Sequence, residues 1–198
     1  MRFAQLNIKY TLKINRLQYV FVILDVYKGV MHMALHKIDI AIGPEATLNA
    51  LSEKYPERGF LKYRSADDHR KFMLLDVSDE KTVFKSVLNY KVIQTLGRVE
   101  PGEDDILELR YMTLDSDEQK VMQSIIDSWD DRNKRSLGLK SYVETRSLKQ
   151  DYEFLLINSR EDEHDFLQWH NAENNTLAQF GHAGNKSAVV NQYVSVGK

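Results

Sequence analysis

Hydrophobic residues alternate with polar ones at the start of the first strongly patterned segment of the chain. The alternating apolar positions are Ile38, Ile40 and Ile42. A period of two places these side chains on one face of a strand. Apolar residues then recur at spacings of three and four from Glu45 to Tyr55, before Pro56. This second pattern predicts an amphipathic helix that the proline ends.

Shorter elements are predicted up to the middle of the chain. They are strands over 60–64, 71–77 and 82–84, and a helix over 86–96. The helix is predicted because Leu88, Val92 and Leu96 recur every four residues, and Gly97 suits the position after a helix end. A breaker pair and a run of acids at 101–105 mark the best candidate boundary between two parts of the chain.

The second half of the chain predicts the order strand, helix, strand, strand, helix, strand. The predicted strands cover 106–114, 139–146, 152–158 and 188–196. Ser116 with Gln119, and Ser159 with Asp162, have the spacing of capping motifs at the starts of the two helices. Trp129 closes an apolar helical stripe and is expected in the core. The order is that of a ferredoxin-like βαββαβ domain, predicted here over 105–198.

A four-stranded sheet of this kind carries helices on one face only. The other face is also apolar, and a large exposed apolar patch is rare in a monomer. We therefore expect a second copy to pack sheet to sheet, as a homodimer with the architecture called a dimeric α+β barrel. The predicted class is α+β, with a smaller N-terminal α/β part over 34–100. That part either completes a barrel within one chain or joins the dimer.

The first 33 residues do not fit either part. The apolar run over 19–27 is too short to cross a bilayer, which takes about 20 residues. It could form a single edge strand. The preferred interpretation is that the start site lies too early and that the folded protein begins near Met31 or Met33.

Composition narrows the possible functions. The net charge is −2 with both signs mixed, which argues against nucleic-acid binding because phosphates need clustered cations. The chain has no cysteine, which excludes disulfides, thiolate metal sites and cysteine nucleophiles, and fits a cytoplasmic protein. Phosphate-binding glycine loops and HExxH zinc motifs are also absent. No membrane partner is predicted.

Several segments resemble a known family. The stretch 151–159 (DYEFLLINS), followed by 164–169 (HDFLQW), resembles the strand and helix of antibiotic-biosynthesis-monooxygenase domains with their F-x-x-W pair. The stretch 81–97 is similar to two groups with one such domain, the HmoB-type heme-degrading monooxygenases and the group called target of RNAIII-activating protein (TRAP). The segment 180–184 (FGHAG) resembles a Phe-Gly-x-x-Gly segment of the TRAP group. The resemblance covers about 34–198.

The resemblance to the heme-degrading members implies three site side chains and heme as cofactor. A tryptophan on the second helix shapes the heme, and Trp169 fits this position. A histidine ten residues later binds the iron, but Gln179 stands there, a poor iron ligand. An asparagine on the first strand faces the distal side, but its position falls at or near Arg110. His182 is the alternative iron ligand, if the segment after Asn171 is shifted.

Each of these residues also has a simpler interpretation. We expect Trp169 in the core, with lining of a ligand pocket as the alternative. Arg110 could bind a heme propionate carboxylate, but on an alternating strand we expect it to face solvent. His182 is expected in a loop. His164 and His170 have polar neighbours and are expected on a solvated face.

Two functions remain open at this stage. The first is an oxidative enzyme that binds heme, or another flat hydrophobic ligand, and cleaves it with oxygen and an external reductant. Trp169, Arg110, His182 and Gln179 would then be the site residues. The second is a non-catalytic, TRAP-like stress-response or signalling protein that keeps the fold without the chemistry. The absence of two of the three implied side chains favours the second, and Trp169 favours the first.

Overall fold

A computed structural model describes most of the chain. The described residues are 9–14, 18–23, 26–27, 30–31, 35–97, 106–129, 131, 135, 137–160, 162–172, 175–180 and 188–196. They divide into two compact units, Met1–Leu35 and His36–Lys198. The predicted boundary at 101–105 and the predicted ligand His182 lie outside the described residues. No helix in the described part of the chain is long and apolar enough to span a membrane.

The first unit contains two antiparallel strand pairs. Strand β1 (Lys9–Ile14) pairs with β2 (Gln18–Ile23), and β3 (Val26–Tyr27) pairs with β4 (Val30–Met31). The apolar run over 19–27 therefore contributes to two paired strands. A later start of the folded protein remains a prediction.

The second unit is built from two halves of similar element order. The N-terminal half contains β5 (Lys37–Gly43), α1 (Glu45–Lys54), β6 (Leu61–Ser65), β7 (Phe72–Asp76) and β8 (Leu88–Leu96). The C-terminal half contains β9 (Ile106–Thr113), α2 (Ser116–Ser128), β10 (Leu139–Ser147), β11 (Glu153–Arg160), α3 (Glu163–His170) and β12 (Val189–Ser195). Single-turn 3-10 helices follow at Pro56–Arg58 and Thr176–Gln179. The predicted βαββαβ order of the C-terminal half is confirmed.

The eight strands of this unit form one closed barrel in the order β10-β11-β9-β12-β6-β7-β5-β8. Within each half, the second strand lies beside the third, the third beside the first, and the first beside the fourth. The fourth strand of each half then pairs with the second strand of the other half. We call these two junctions the β12–β6 seam and the β8–β10 seam. The halves are therefore pseudo-symmetric, and the α+β barrel closes within one chain.

Barrel closure changes the argument for a homodimer. The face of the C-terminal sheet that we expected a second copy to cover is packed against the N-terminal half instead. Leu109 and Ile157 lie opposite each other on that face and are fully buried, as are Ile40 and Leu75 from the other half. The chain's own strands thus bury the apolar face, and a dimer is not needed for this purpose. The homodimer remains a prediction without that support.

The predicted helix over 86–96 is wrong, because this segment is the barrel strand β8. Residues four apart share a face in a strand as well as in a helix, since four is a multiple of two. Burial follows the shorter period from Tyr90 onwards, since every second residue is exposed (Lys91, Ile93 and Thr95) and those between them are half-buried. Tyrosine, valine, isoleucine and threonine in this segment favour a strand. The N-terminal half therefore lacks a second helix.

The segment before β8 occupies the position that a second helix would have in the N-terminal half. The predicted strand over 82–84 is not formed there. Phe84 is buried with Leu48 of α1 and with Phe72 and Leu74 of β7. One aromatic side chain in irregular backbone thus completes the core on this side of the barrel.

Both capping motifs lie at positions other than those predicted. The N-cap of α2 is Asp115, whose carboxylate accepts hydrogen bonds from the backbone N–H groups of Asp117 and Glu118. The carboxylate of Glu118 in turn accepts from the backbone N–H of Asp115. The N-cap of α3 is Asp162, and Ser159 belongs to β11. Aspartate is as good an N-cap as serine, so the spacing alone did not distinguish the two possibilities.

Replacing Asp115 with alanine is expected to lower the free energy of unfolding by about 1 kcal/mol, because two backbone donors of α2 lose their acceptor. Chemical denaturation followed by circular dichroism measures the change. Asp115→Asn keeps an acceptor oxygen and is expected to stay close to the original stability. An Asp115→Ala protein as stable as the original would contradict the assigned cap.

Candidate functional site

The candidate site lies between the C-terminal sheet and its two helices. Arg110 lies opposite Leu156 in the strand register, and Glu108 lies opposite Asn158, so these side chains share one face of the sheet. Met112 is on the same face of β9 and packs in a cluster with side chains of both helices. This face of the sheet is therefore the helix-facing side. We call this region the helix–sheet cleft.

Glu108 is the centre of a buried polar network in the cleft. Its Oε1 lies 3.0 Å from Nη2 of Arg110 and accepts a 3.1 Å hydrogen bond from Nε of the same arginine. Its Oε2 lies 3.4 Å from Nη2 of Arg160 and accepts a 3.3 Å hydrogen bond from Nδ2 of Asn158. Both guanidinium groups and the carboxylate are almost completely buried.

Trp169 of α3 closes this network from the helix side. The guanidinium carbon of Arg160 lies 4.2 Å from the centre of the indole ring, and that of Arg110 lies 5.7 Å away. Both distances suit cation–π attraction, which is strengthened where water is excluded. Trp169 is 6% exposed and belongs to the core cluster of the C-terminal half. The prediction that it is a core residue is confirmed.

Arg110 does not face solvent as predicted. It is 3% exposed, because β9 lies between β11 and β12 and its outer face is covered by helices. An arginine stays charged even when buried, so its burial is costly unless carboxylates and hydrogen-bond acceptors surround it. Burial lowers the pKa of Arg160, and the charge of Glu108 opposes this shift. The network therefore stabilises its own buried charges.

The segment after α3 contributes apolar side chains to the same cluster. Leu177 and Phe180 are buried beside Trp169. Gln179 is exposed, and its amide nitrogen donates to the carbonyl oxygen of Thr176 at 2.6 Å. Asn175 caps the 3-10 helix by accepting from the backbone N–H of Leu177.

The histidines near the second helix lie at the surface. His164 and His170 are exposed, as predicted, and the ring of His170 stacks on Phe166 with the ring centres 5.3 Å apart. Asp162, His164 and Asp165 are close enough to share a metal ion. Asp162 already accepts a hydrogen bond from the backbone N–H of Asp165 as the cap of α3. This group is therefore explained by helix capping and lies outside the cleft.

Three central residues of the network were not predicted from the sequence. They are Glu108, Asn158 and Arg160. Each falls at an alternate position of a strand that is rich in apolar residues, and this is the signal that could have identified them. Polar and charged residues on a strand with two covered faces must find partners, and these three in two adjacent strands find one another.

The arrangement is suited to holding charge in a fixed place. The carboxylate has partners on both oxygens, and no histidine from the described part of the chain reaches it. The indole and the apolar side chains of Leu177 and Phe180 occupy the space between sheet and helix. What the described residues form here is a packed polar core around Glu108, whose two carboxylate oxygens both have partners.

Comparison with known proteins finds this architecture among solved structures. No protein-family model and no curated protein matches the sequence. Among solved structures, a major regulator of staphylococcal pathogenesis superposes with a TM-score of 0.63 at 18% identity, covering 81% of this chain and 99% of its own. LmHde, a heme-degrading enzyme from Listeria monocytogenes, gives a TM-score of 0.64 at 17% identity, again covering 81% of this chain and 99% of its own.

A third structure supports the same fold. It is an uncharacterised ferredoxin-fold protein related to antibiotic biosynthesis monooxygenases from Listeria monocytogenes 4b F2365. Its TM-score is 0.66 at 18% identity, covering 84% of this chain and 97% of its own. A regulator and an enzyme share this architecture, so the fold does not select a function. The predicted likeness is confirmed at the level of the fold: this chain is an α+β barrel of the type found in antibiotic-biosynthesis-monooxygenase-like proteins.

Proposed function

We propose that this protein is a non-catalytic member of its fold group that acts through binding in regulation or stress response. The observation that supports this proposal is the filled helix–sheet cleft. Trp169, the ion network of Glu108 and the apolar pair Leu177 and Phe180 occupy the volume between sheet and helices. A large flat ligand would have to displace them.

The side chains implied by the resemblance to heme-degrading enzymes point the same way. The position expected to bind iron is Gln179, which is exposed and bonded to Thr176. The position expected to face the distal side is at or near Arg110, which is paired with Glu108. Neither residue is free to perform the implied role in this arrangement. Retention of the fold with loss of the ligand set is the pattern that we infer for a regulatory protein.

Heme degradation is the second candidate, and one observation favours it. Trp169 stands at the position implied for the heme-shaping residue, beside two arginines that could each bind a propionate carboxylate bidentately. These arginines would first have to leave Glu108, and His182 would have to bind the iron. Heme itself would supply the oxygen chemistry when bound.

Hemin titration distinguishes the two candidates. We expect purified protein to change the hemin spectrum no more than heat-denatured protein does. We also expect that ascorbate under air causes no protein-dependent loss of the hemin band. The reason is that the cleft offers neither space nor an iron ligand among the described residues. Absorbance spectroscopy with a stoichiometric titration is the measurement.

A saturable one-to-one heme band that ascorbate consumes would overturn the proposal. The residue that binds the iron would then be tested with His182→Ala, using His170→Ala as a matched control at an exposed histidine outside the cleft. Loss of the band in His182→Ala alone would establish the enzymatic candidate. A binding partner of the regulatory protein would be sought by affinity capture only after a negative heme result.

A further inference from the structure

The two seams of the barrel are equivalent in topology but different in chemistry. In the β12–β6 seam, Arg64 lies opposite Val194. In the β8–β10 seam, Arg146 lies opposite Lys91. Both arginines belong to the second strand of their half. The residues two positions before them, Lys62 and Glu144, therefore occupy corresponding places on the helix-facing side of the sheet.

Lys62 is fully paired with its helix. Its Nζ donates 2.7 Å hydrogen bonds to Oε1 of Glu45 and to Oδ1 of Asn49, both on α1, and it lies 5.0 Å from the centre of the Phe72 ring. The first helix of the N-terminal half thus provides a carboxylate and an amide oxygen for the cation beneath it. At this seam the cation that meets the helix, Lys62, therefore has both an opposite charge and a neutral acceptor as partners.

Glu144 meets a helix of the opposite character. It is 1% exposed, and the exposed carboxylate of Asp127 on α2, which accepts a hydrogen bond from Gln123, adds a repulsive negative charge. Its Oε2 has no hydrogen-bond partner among the described residues. Burial of a carboxylate oxygen that has no partner, with a second negative charge acting on it, disfavours the ionised form and favours the neutral acid.

The other neighbours of Glu144 do not neutralise it. Gln94 lies opposite it on β8, yet the amide nitrogen of that glutamine is buried without a partner among the described residues. Arg146, on the same face of β10, directs its guanidinium over the Phe154 ring at 5.1 Å, and its Nε is likewise unpaired in the described part of the chain. Leu156 of β11, on the other side, is apolar. Lys91 of β8 and Lys140 of β10 are the remaining charged residues of these two strands, and both are exposed.

We propose that Glu144 is a proton-binding site that controls the β8–β10 seam. With a proton bound, the carboxyl is neutral and the seam stays packed beneath α2. When the proton leaves, the new carboxylate draws the unpaired donors of Gln94 and Arg146, or water, towards Oε2. The seam between the two halves then loosens, while the β12–β6 seam does not respond. This proposal does not depend on the proposed function.

The electrostatics support a switch near neutral pH. Burial, together with the charge of Asp127, raises the pKa of Glu144 from 4.5 to about 7, and Arg146 opposes this shift. Because the folded-state pKa is raised, folding takes up a proton between pH 4.5 and about pH 7. The stabilisation is complete below the lower value and is lost as the pH rises through the upper one. The folding equilibrium constant is expected to fall about tenfold for each pH unit in this range.

The proposal is tested by comparing the original protein with Glu144→Gln, which keeps the shape of the neutral acid. The original protein is expected to lose folding stability from pH 5 to pH 8, and Glu144→Gln to lack this component and to be the more stable protein at pH 8. Glu53→Gln, at an exposed position of α1, is the matched control and should keep the original pH dependence. Denaturant unfolding at a series of pH values is the measurement.

Hydrogen exchange locates the effect within the barrel. After correction for intrinsic rates, amides of β8 and β10 are expected to exchange faster at pH 8 than at pH 6, and those of β6 and β12 to show no such change. Equal pH dependence in the original protein and in Glu144→Gln, or equal acceleration at both seams, would overturn the proposal. Should Glu144→Gln fail to fold, infrared titration of the original protein decides. A protonated-carboxyl band that persists up to about pH 7 supports the site, and its loss near the ordinary pKa of glutamate refutes it.

Discussion

Replacing Glu108 with alanine is expected to lower the free energy of unfolding by about 3–5 kcal/mol, the largest effect of any single charge removal in the barrel. The carboxylate accepts from Asn158 and lies against two guanidinium groups that are almost completely buried. Without it, Arg110 and Arg160 keep their charges in a place that water does not reach. Urea denaturation followed by circular dichroism measures the loss.

Two control variants test whether the loss of stability comes from breaking the buried charge network. Glu53→Ala removes a carboxylate from an exposed helix position and is expected to change stability by less than about 0.5 kcal/mol. Joint replacement of Glu108, Arg110 and Arg160 by leucine and methionine removes the whole network and is expected to cost far less than Glu108→Ala alone. A loss below about 1 kcal/mol for Glu108→Ala would show that water or another group replaces the carboxylate.

Replacing Trp169 with alanine is expected to cost about 3–5 kcal/mol, because a large buried side chain leaves a cavity in the core cluster. The two cation–π contacts, at 4.2 Å and 5.7 Å, are lost with the ring. Trp169→Phe keeps an aromatic face, and its loss of stability is expected to be less than half of the loss in Trp169→Ala. Circular dichroism measures both variants.

The outcome for Trp169→Ala also bears on function. A residue that mainly lines a ligand pocket would leave the stability of the free protein almost unchanged when truncated. A core residue would not. An alanine variant within about 1 kcal/mol of the original protein would therefore contradict the packed cleft on which the non-catalytic proposal rests.

The C-terminal half was predictable because its elements have long, unambiguous patterns. The apolar stripe that ends at Trp129 and the pair Phe166 and Trp169 place both helices, and these three side chains are buried. The strands over 139–146 and 152–158 agree with β10 and β11 to within two residues at their ends. Local periodicity sufficed here because each element buries one face against its own half.

Strand β8 was mispredicted because its partners are remote in sequence. It pairs with β5 and with β10 of the other half, and neither pairing can be recognised from the pattern of neighbouring residues in the sequence. The same limit applied to Arg110. Alternation along β9 indicates which residues share a face but not which of the two faces the helices cover, so burial of the arginine beneath them was not inferred. Glu108 and Arg160 became site residues only when the register placed them together.

The single-chain barrel also explains why the halves differ. In a barrel made from two identical copies, a change at one junction appears at the other as well. Here Lys62 pairs with Glu45 at one seam, whereas the buried Glu144 lies at the other. The N-terminal half has lost its second helix, while the C-terminal half keeps both. Pseudo-symmetry within one chain permits each half to specialise independently.

The order of strands around the barrel has a consequence for synthesis on the ribosome. Strand β6 emerges early, but the strand that hydrogen-bonds to its outer edge, β12, is the last of the barrel to be translated. Until then β6 presents unpaired backbone groups, and such edges invite pairing with other nascent chains. Charged Lys62 and Arg64 alternate along this edge and disfavour such pairing. The interval between translation of the two strands is therefore the period in which the edge of β6 is open to such pairing.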